Sequence, residues 1–225
     1  CQVFEKVNTG GVTLTVFELM TATFAADEFN LRDDWEARQE RLTAKHDVLT
    51  AVDGTSFLTA VTLLASYRRH KTHGTSVSCK RADVLKLPLA DFKALESDLE
   101  KGFKRAAELL AEEKIFDDRS LPYATQLIPL SAICAHLADR TTQHGVKQKL
   151  LRWYWSGVLG ELYGGANETR FGMDIQDVVA WVEGGSEPRT VRDANFAPTR
   201  LLSLQSRLAA AYKGLAALLM KHGGR

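Results

Sequence analysis

KQKLLRWYWSGVLGELYGGANETRFGMDIQDVVAWV, running from Lys147 to Val182, contains three of the chain's four tryptophans. Leu150, Leu151, Trp153, Tyr154, Trp155, Val158, Leu159, Leu162 and Tyr163 place bulky residues on most faces of a helix, the pattern of a helix buried centrally rather than laid on a surface. Gly164 and Gly165 are expected to end it, because glycine reaches the left-handed conformation that many helix ends require. Met173, Ile175, Val178, Val179, Trp181 and Val182 then form a second apolar helix, with Asn167, Glu168, Thr169 and Arg170 as a polar shoulder at the joint. Such a hinge can be a site or a cap, and the need to satisfy freed backbone groups favours the cap. The remainder of the chain is expected to pack around this pair.

Working outward, the 225 residues are enough for a sizeable core, as one large domain or two small ones. An apolar fraction of 45% with 25% charged residues is that of an ordinary globular protein. Lys plus Arg (29) nearly cancel Asp plus Glu (28), so no global field points to nucleic acid or a membrane surface, and such a contact has to be local. The cysteines Cys1, Cys79 and Cys134 are widely spaced and odd in number, which argues against a disulfide framework. No apolar run approaches the roughly 20 residues needed to cross a bilayer, and no signal-peptide pattern is seen. The expected location is the cytoplasm, with no membrane contact.

At the N-terminal side, Val3 to Val7 alternates apolar and charged residues as a strand does. Asn8, Thr9, Gly10 and Gly11 form a turn, and Thr15 with Glu18 has the capping-box spacing that starts a helix. Strand, glycine turn and helix suit anion binding, although the same residues are also plain turn chemistry. A lone strand is not stable, so the chain is read as a piece of a longer polypeptide. Residues 1–27 are taken as the end of a sheet-containing domain and 28–225 as a helical domain.

The helical part is expected to hold about eight helices. One runs from Arg32 to Ala51 and the next from Ser56 to Arg69, with Phe57, Leu58, Val61, Leu64 and Ala65 as its buried stripe. The run RRHKTHGTSVSCKR, Arg68 to Arg81, carries five cations and no acid. Arg68, Arg69, Lys71, Lys80 and Arg81 are therefore the candidates for a phosphate-backbone contact, against the plainer reading of a solvated basic loop. His70, His73 and Cys79 match no zinc spacing, and no metal is expected. Further helices are expected from Pro88 to Lys114, from Pro122 with Pro129 kinking it, and from Pro198 to the C-terminal glycines. His136, near the end of the Pro122 helix, is read as structural, in a place where the dipole favours positive charge. Walker, dinucleotide and HExxH patterns are absent. Glu161 and Glu168 are read as the only carboxylates near the aromatic centre, without a base or nucleophile beside them, so no catalytic residue is assigned.

FEKVNTGGVTLTVFEL (4–19) resembles the Phe-x-x-x-Asn and Thr-Gly-Gly motif of the ParB-like domain of GmrSD-type, modification-dependent restriction enzymes. RWYWSGVLGELYGGANETRFGMD (152–174) resembles the helical region that follows it, and LPYATQLIPLSAI (121–133) and SRLAAAYKGLAALLMKHGGR (206–225) are similar to the same family. These blocks occur in family order over nearly the whole chain. The resemblance implies that Phe4, Asn8, Thr9, Gly10 and Gly11 contact a nucleoside triphosphate in the intact parent. It also implies an HNH nuclease domain or subunit as partner, DNA as target, and a role in phage defence. The family's Asp-Gly-Gln-x-Arg motif and HNH residues are absent, so this chain alone is expected neither to hydrolyse nucleotide nor to cut DNA. The alternative is a helical protein-interaction scaffold without a DNA role.

Overall fold

The computed structural model describes residues 14–165, 167–196, 199–200, 206 and 209–223. Ten α-helices run through them: α1 (Val16–Ala25), α2 (Leu31–Thr43), α3 (Gly54–His73), α4 (Arg81–Val84), α5 (Leu89–Glu112), α6 (Leu127–Leu137), α7 (His144–Leu159), α8 (Glu168–Val182), α9 (Arg189–Asp193) and α10 (Ala210–Lys221). Eight of these have ten residues or more, and no strand occurs among the described residues. The fold is mainly α, a multi-helix domain. The expected strand at Val3 to Val7 lies outside the described residues.

The centre of the bundle is α6, not the tryptophan-rich pair. Every residue of α6 except His136 is buried, and it packs against α5, α3 and α8. Its Ser131, Ala132, Cys134 and Ala135 are small enough to let backbones approach. At the crossing with α5, a Cβ on Gly102 would lie 2.3 Å from the Ser131 carbonyl oxygen and 2.8 Å from the Ala135 Cβ. Bulk in α7 reflects something else. Leu150, Trp153, Tyr154 and Val158 face the core, while Trp155 and Leu159 on the outer flank are only partly covered, α9 and α10 packing on this helix. Large side chains thus mark the thickness of a layer, and small ones mark its axis.

Pro129 does not kink α6. The helix begins at Leu127, behind a short 3-10 turn at Ala124–Gln126. Pro129 therefore sits in the first turn, where its missing N–H would have had no helical partner. The expected helix from Arg32 to Ala51 divides into α2 and a 3-10 turn at Asp47–Ala51, with the break at Ala44 to His46. α3 extends past Arg69 to His73 and is ended by Gly74 at φ +68°. Pro88 is the N-cap of α5 rather than its first residue. α7 stops at Leu159, short of Gly164 and Gly165, and Glu161 takes the left-handed conformation (φ +53°) as the Leu162 N–H returns to the Gly157 carbonyl at 3.0 Å. The expected last helix from Pro198 is not continuous: Ser206 is non-helical and Ala209 is extended as the N-cap of α10, which starts at Ala210, while Leu201, Leu204 and Leu208 lie outside the described residues.

α1 begins as its sequence predicts. The Thr15 N–H donates to Glu18 Oε2 at 2.7 Å and the Glu18 N–H to Thr15 Oγ1 at 3.2 Å, a reciprocal capping box. Val16, Met20 and Phe24 then enter the same buried cluster as the later helices, with the Phe24 ring 5.5 Å from that of Phe92 on α5. The described part of the segment read as the end of a preceding domain is thus continuous with the helical core.

One charged group is also part of that core. Arg38 on α2 is 3% exposed and donates to both oxygens of Asp34 at 3.0 Å, to Glu96 at 2.8 Å and to Glu100 at 2.9 Å. Its guanidinium lies 5.0 Å from the Phe57 ring centroid. Burial works to raise the Glu100 carboxyl, but the hydrogen bonds of Arg41 and Lys104 prevail and hold it at about 2. This network ties α2 to α5.

Three outcomes are expected. Gly102→Ala, which would add about 1 kcal/mol of helix propensity at an open site, instead destabilises by about 1–3 kcal/mol through overpacking, read by urea denaturation. Arg38→Ala leaves three clustered carboxylates without their shared cation and lowers stability by about 3 kcal/mol in the same assay. Since Glu100 is depressed from 4.5 to about 2, its contribution is complete above pH 4.5 and lost as pH falls towards 2. The acid limb of a stability-against-pH curve is accordingly shallower in Glu100→Gln.

Candidate functional site

The candidate nucleotide residues Phe4, Asn8, Thr9, Gly10 and Gly11 lie outside the described residues. The basic run can be followed completely, and it is not one loop. Arg68, Arg69 and Lys71 stand on the last turns of α3, and each has an acid from elsewhere in the fold. Arg68 pairs with Asp98 at 2.9 Å, Arg69 with Asp91 at 2.6 Å, and Lys71 with Glu183 at 3.5 Å. These pairs are about half-exposed, so each is worth little in stability, but together they cancel the local field. A run without acids in sequence is neutralised by acids brought in on α5 and at the end of α8.

Lys80 and Arg81, at the start of α4, are different. Both are exposed, and neither is ion-paired among the described residues. Arg81 donates through Nη2 to the Leu14 carbonyl at 3.4 Å. Leu14 immediately precedes the capping box of α1 and follows Gly11 by three positions in the chain. The two ends of the basic run therefore have separate surroundings, one ion-paired on α3 and one open beside the entry to α1.

Two of the three residues considered for metal, His70 and Cys79, have other partners. His70 Nδ1 is 2.6 Å from the Thr75 carbonyl oxygen. Cys79 is buried, which raises its thiol to about 12, and its Sγ is 3.8 Å from the Glu168 carbonyl oxygen. No group of three or more metal-ligating side chains occurs among the described residues. His136 packs edge-on against Tyr67, with centroids 4.9 Å apart. Burial, then the nearby Arg68, lowers its pKa, against the positive tendency expected from the helix dipole.

At the aromatic centre the decisive carboxylate is Asp174, which the sequence reading passed over in favour of Glu161 and Glu168. Glu161 is on the surface, paired with Arg200 at 2.6 Å. Asp174 is 1% exposed. Its Oδ1 accepts from the Trp153 indole at 3.0 Å and from the Thr190 hydroxyl at 2.6 Å, while Oδ2 accepts from the Tyr163 hydroxyl. Arg170 donates to the Thr190 oxygen at 3.1 Å, and Asn167 donates to the Tyr163 carbonyl at 2.8 Å. Burial raises the Asp174 carboxyl, opposed by the hydrogen bonds of Thr190, Tyr163 and Trp153. The signal was available, since Asp174 falls on the stripe of Phe171, Ile175 and Val178. Held by α7, α8, α9 and the 160–165 turn, this carboxylate is a pin between elements, with both oxygens hydrogen-bonded. At the polar joint, Asn167 satisfies the Tyr163 carbonyl, but no side chain caps the start of α8.

A second buried carboxylate, Glu113, closes the other end. It accepts from the Trp155 indole at 2.9 Å and from Lys221 on α10 at 2.6 Å. Gly214 lets α10 approach, because a Cβ there would be 2.7 Å from Val158.

No protein-family model matches the chain. Over 232 aligned residues, 97% of its length, the chain is 24% identical to the uncharacterized protein MJ0686 of Methanocaldococcus jannaschii. It spans 38% of that relative.

Replacing Asp174 by Asn sets an amide N–H against donors that have no other buried acceptor. A loss of about 1–3 kcal/mol follows from the unsatisfied groups. Thermal unfolding followed by tryptophan fluorescence, with Trp153 as reporter, measures it.

Proposed function

We propose that this chain is the helical segment of a type IV, modification-dependent DNA restriction protein. In this reading it couples a ParB-like, nucleotide-binding domain to an HNH nuclease and is not catalytic alone. The observation that carries the reading is the run FEKVNTGGVTLTVFEL (4–19), with the later blocks in family order. Two structural facts support it. The helix expected after the Asn8–Gly11 stretch is present, beginning at Val16 behind Thr15. That helix is packed through Phe24 into the core that α5 and α6 share, so a change at the turn has a rigid element through which to act. A nucleoside triphosphate is the cofactor of the intact protein in this account, held by Phe4, Asn8, Thr9, Gly10 and Gly11. DNA and the nuclease are the partners.

The scaffold reading is favoured by one observation, the pairing of Arg68, Arg69 and Lys71 with acids. Binding of the full-length protein to duplex DNA, measured against salt, separates the two, since a phosphate-contacting surface gives a log–log slope of about −0.9 for each neutralised phosphate. No helix among the described residues is long and apolar enough to cross a membrane, which suits either reading.

For the nucleotide site, Asn8→Ala in the full-length protein is expected to weaken nucleoside triphosphate binding about tenfold, the loss of one good polar contact. The helical circular dichroism and urea midpoint stay unchanged. Wild-type affinity in the variant contradicts the assignment.

A further inference from the structure

We propose that the cavity between the end of α2 and the end of α5 binds a free α-amino acid with an apolar side chain. Two chain reversals build it. α2 ends at Thr43, and its cap Ala44 leads through Lys45 and His46 into the 3-10 turn Asp47–Ala51. α5 ends at Glu112, after which Lys114 takes the left-handed conformation (φ +66°) and the Ile115 N–H returns to the Leu110 carbonyl at 3.0 Å. That reversal sends Ile115 inward, where it is fully buried, and leaves Phe116 56% exposed. Ala107 and Ala111 lie one turn apart on the same face of α5 and are too short to fill the space beside them. With Val48, Ile115 and Phe116 they line an apolar cavity of about 290 Å³. Small-molecule sites occupy roughly 300–1,000 Å³, so this one has room for a single side chain and not for a nucleotide.

Charge at the mouth selects the ligand. Lys45, His46 and Asp47 are the lining residues with polar side chains. Lys45 and Asp47 are exposed and His46 is half-buried. None of these three side chains has a hydrogen-bond or ion-pair partner among the described residues. Lys45 and Asp47 are opposite in sign and are not paired with each other, so one is left for a carboxylate and the other for an ammonium group. An apolar acid or an apolar amine would answer only one of them. A zwitterion whose side chain enters the cavity answers both, with His46 beside them as a further polar contact. The same side chain covers the Phe116 ring, which otherwise stands in water at the edge of an apolar surface.

Calorimetry on the full-length protein tests this with L-phenylalanine, L-leucine, phenylacetate, phenethylamine and glycine. Phenylalanine or leucine is expected to bind saturably. Phenylacetate and phenethylamine bind about fivefold more weakly than phenylalanine, the weight of one exposed ion pair each, and glycine, with no side chain to bury, shows no binding in the same range. Lys45→Ala erases the advantage of phenylalanine over phenethylamine, and Asp47→Asn erases its advantage over phenylacetate. Ala111→Leu, at a position that is only partly buried, fills the cavity and abolishes binding. Phe116→Ala cannot overpack, and it weakens binding several-fold even if the leucine variant does not fold. Wild-type affinity in Phe116→Ala, or in a folded Ala111→Leu, puts the ligand elsewhere and overturns the assignment. Phenylacetate or phenethylamine binding as tightly as phenylalanine overturns the choice of a zwitterion, and no binding of phenylalanine or leucine at millimolar concentration overturns the site itself.

Discussion

The close approach of α5 and α6 at Gly102 is the constraint on which the rest of the bundle depends. With the Ser131 carbonyl 2.3 Å from where a Cβ would be, no other residue fits without moving a backbone. Close packing of this kind sets interaxial distance through the smallest residues at the contact. Because α5 lies so near α6, α3 can bury an unbroken run from Phe57 to Tyr67 against both. α8 packs against α6 as well and presents Asp174 towards α7 and α9. The outer layer inherits its position from this inner one.

Polar groups then fix what packing leaves free. Arg38 ties α2 to α5, Asp174 ties α7, α8 and α9 together, and Glu113 ties α10 to α7 and the end of α5. Each buried charge has several partners, as a buried charge must if it is not to cost several kcal/mol. Satisfied carboxylates in the core are therefore read as fasteners. Within the basic run, Lys80 and Arg81 are not so committed, and Arg81 meets the carbonyl of Leu14 before α1.

Helical class and most helix positions were legible in the sequence because period and caps are local. The capping box of Thr15 with Glu18 needed only near neighbours. What was misread depended on distant partners. Trp153, Tyr154 and Trp155 suggested a centre because they are large, whereas the centre lies where Ser131 and Ala135 are small. The basic run appeared uncompensated because Asp91, Asp98 and Glu183 are 22, 30 and more than 100 positions away. Asp174 was passed over because a carboxylate in an apolar stripe becomes meaningful only once Trp153, Tyr163 and Thr190 are seen to converge on it. Pro129 was read as a breaker because its distance from the true helix start is not evident from residue type.

Amide hydrogen exchange on the full-length protein, with and without nucleoside triphosphate, tests the proposed coupling most directly. The account predicts that nucleotide slows exchange in α1, with the effect carried into α5 through the Phe24 and Phe92 contact. Unchanged exchange in α1 at saturating nucleotide would contradict it.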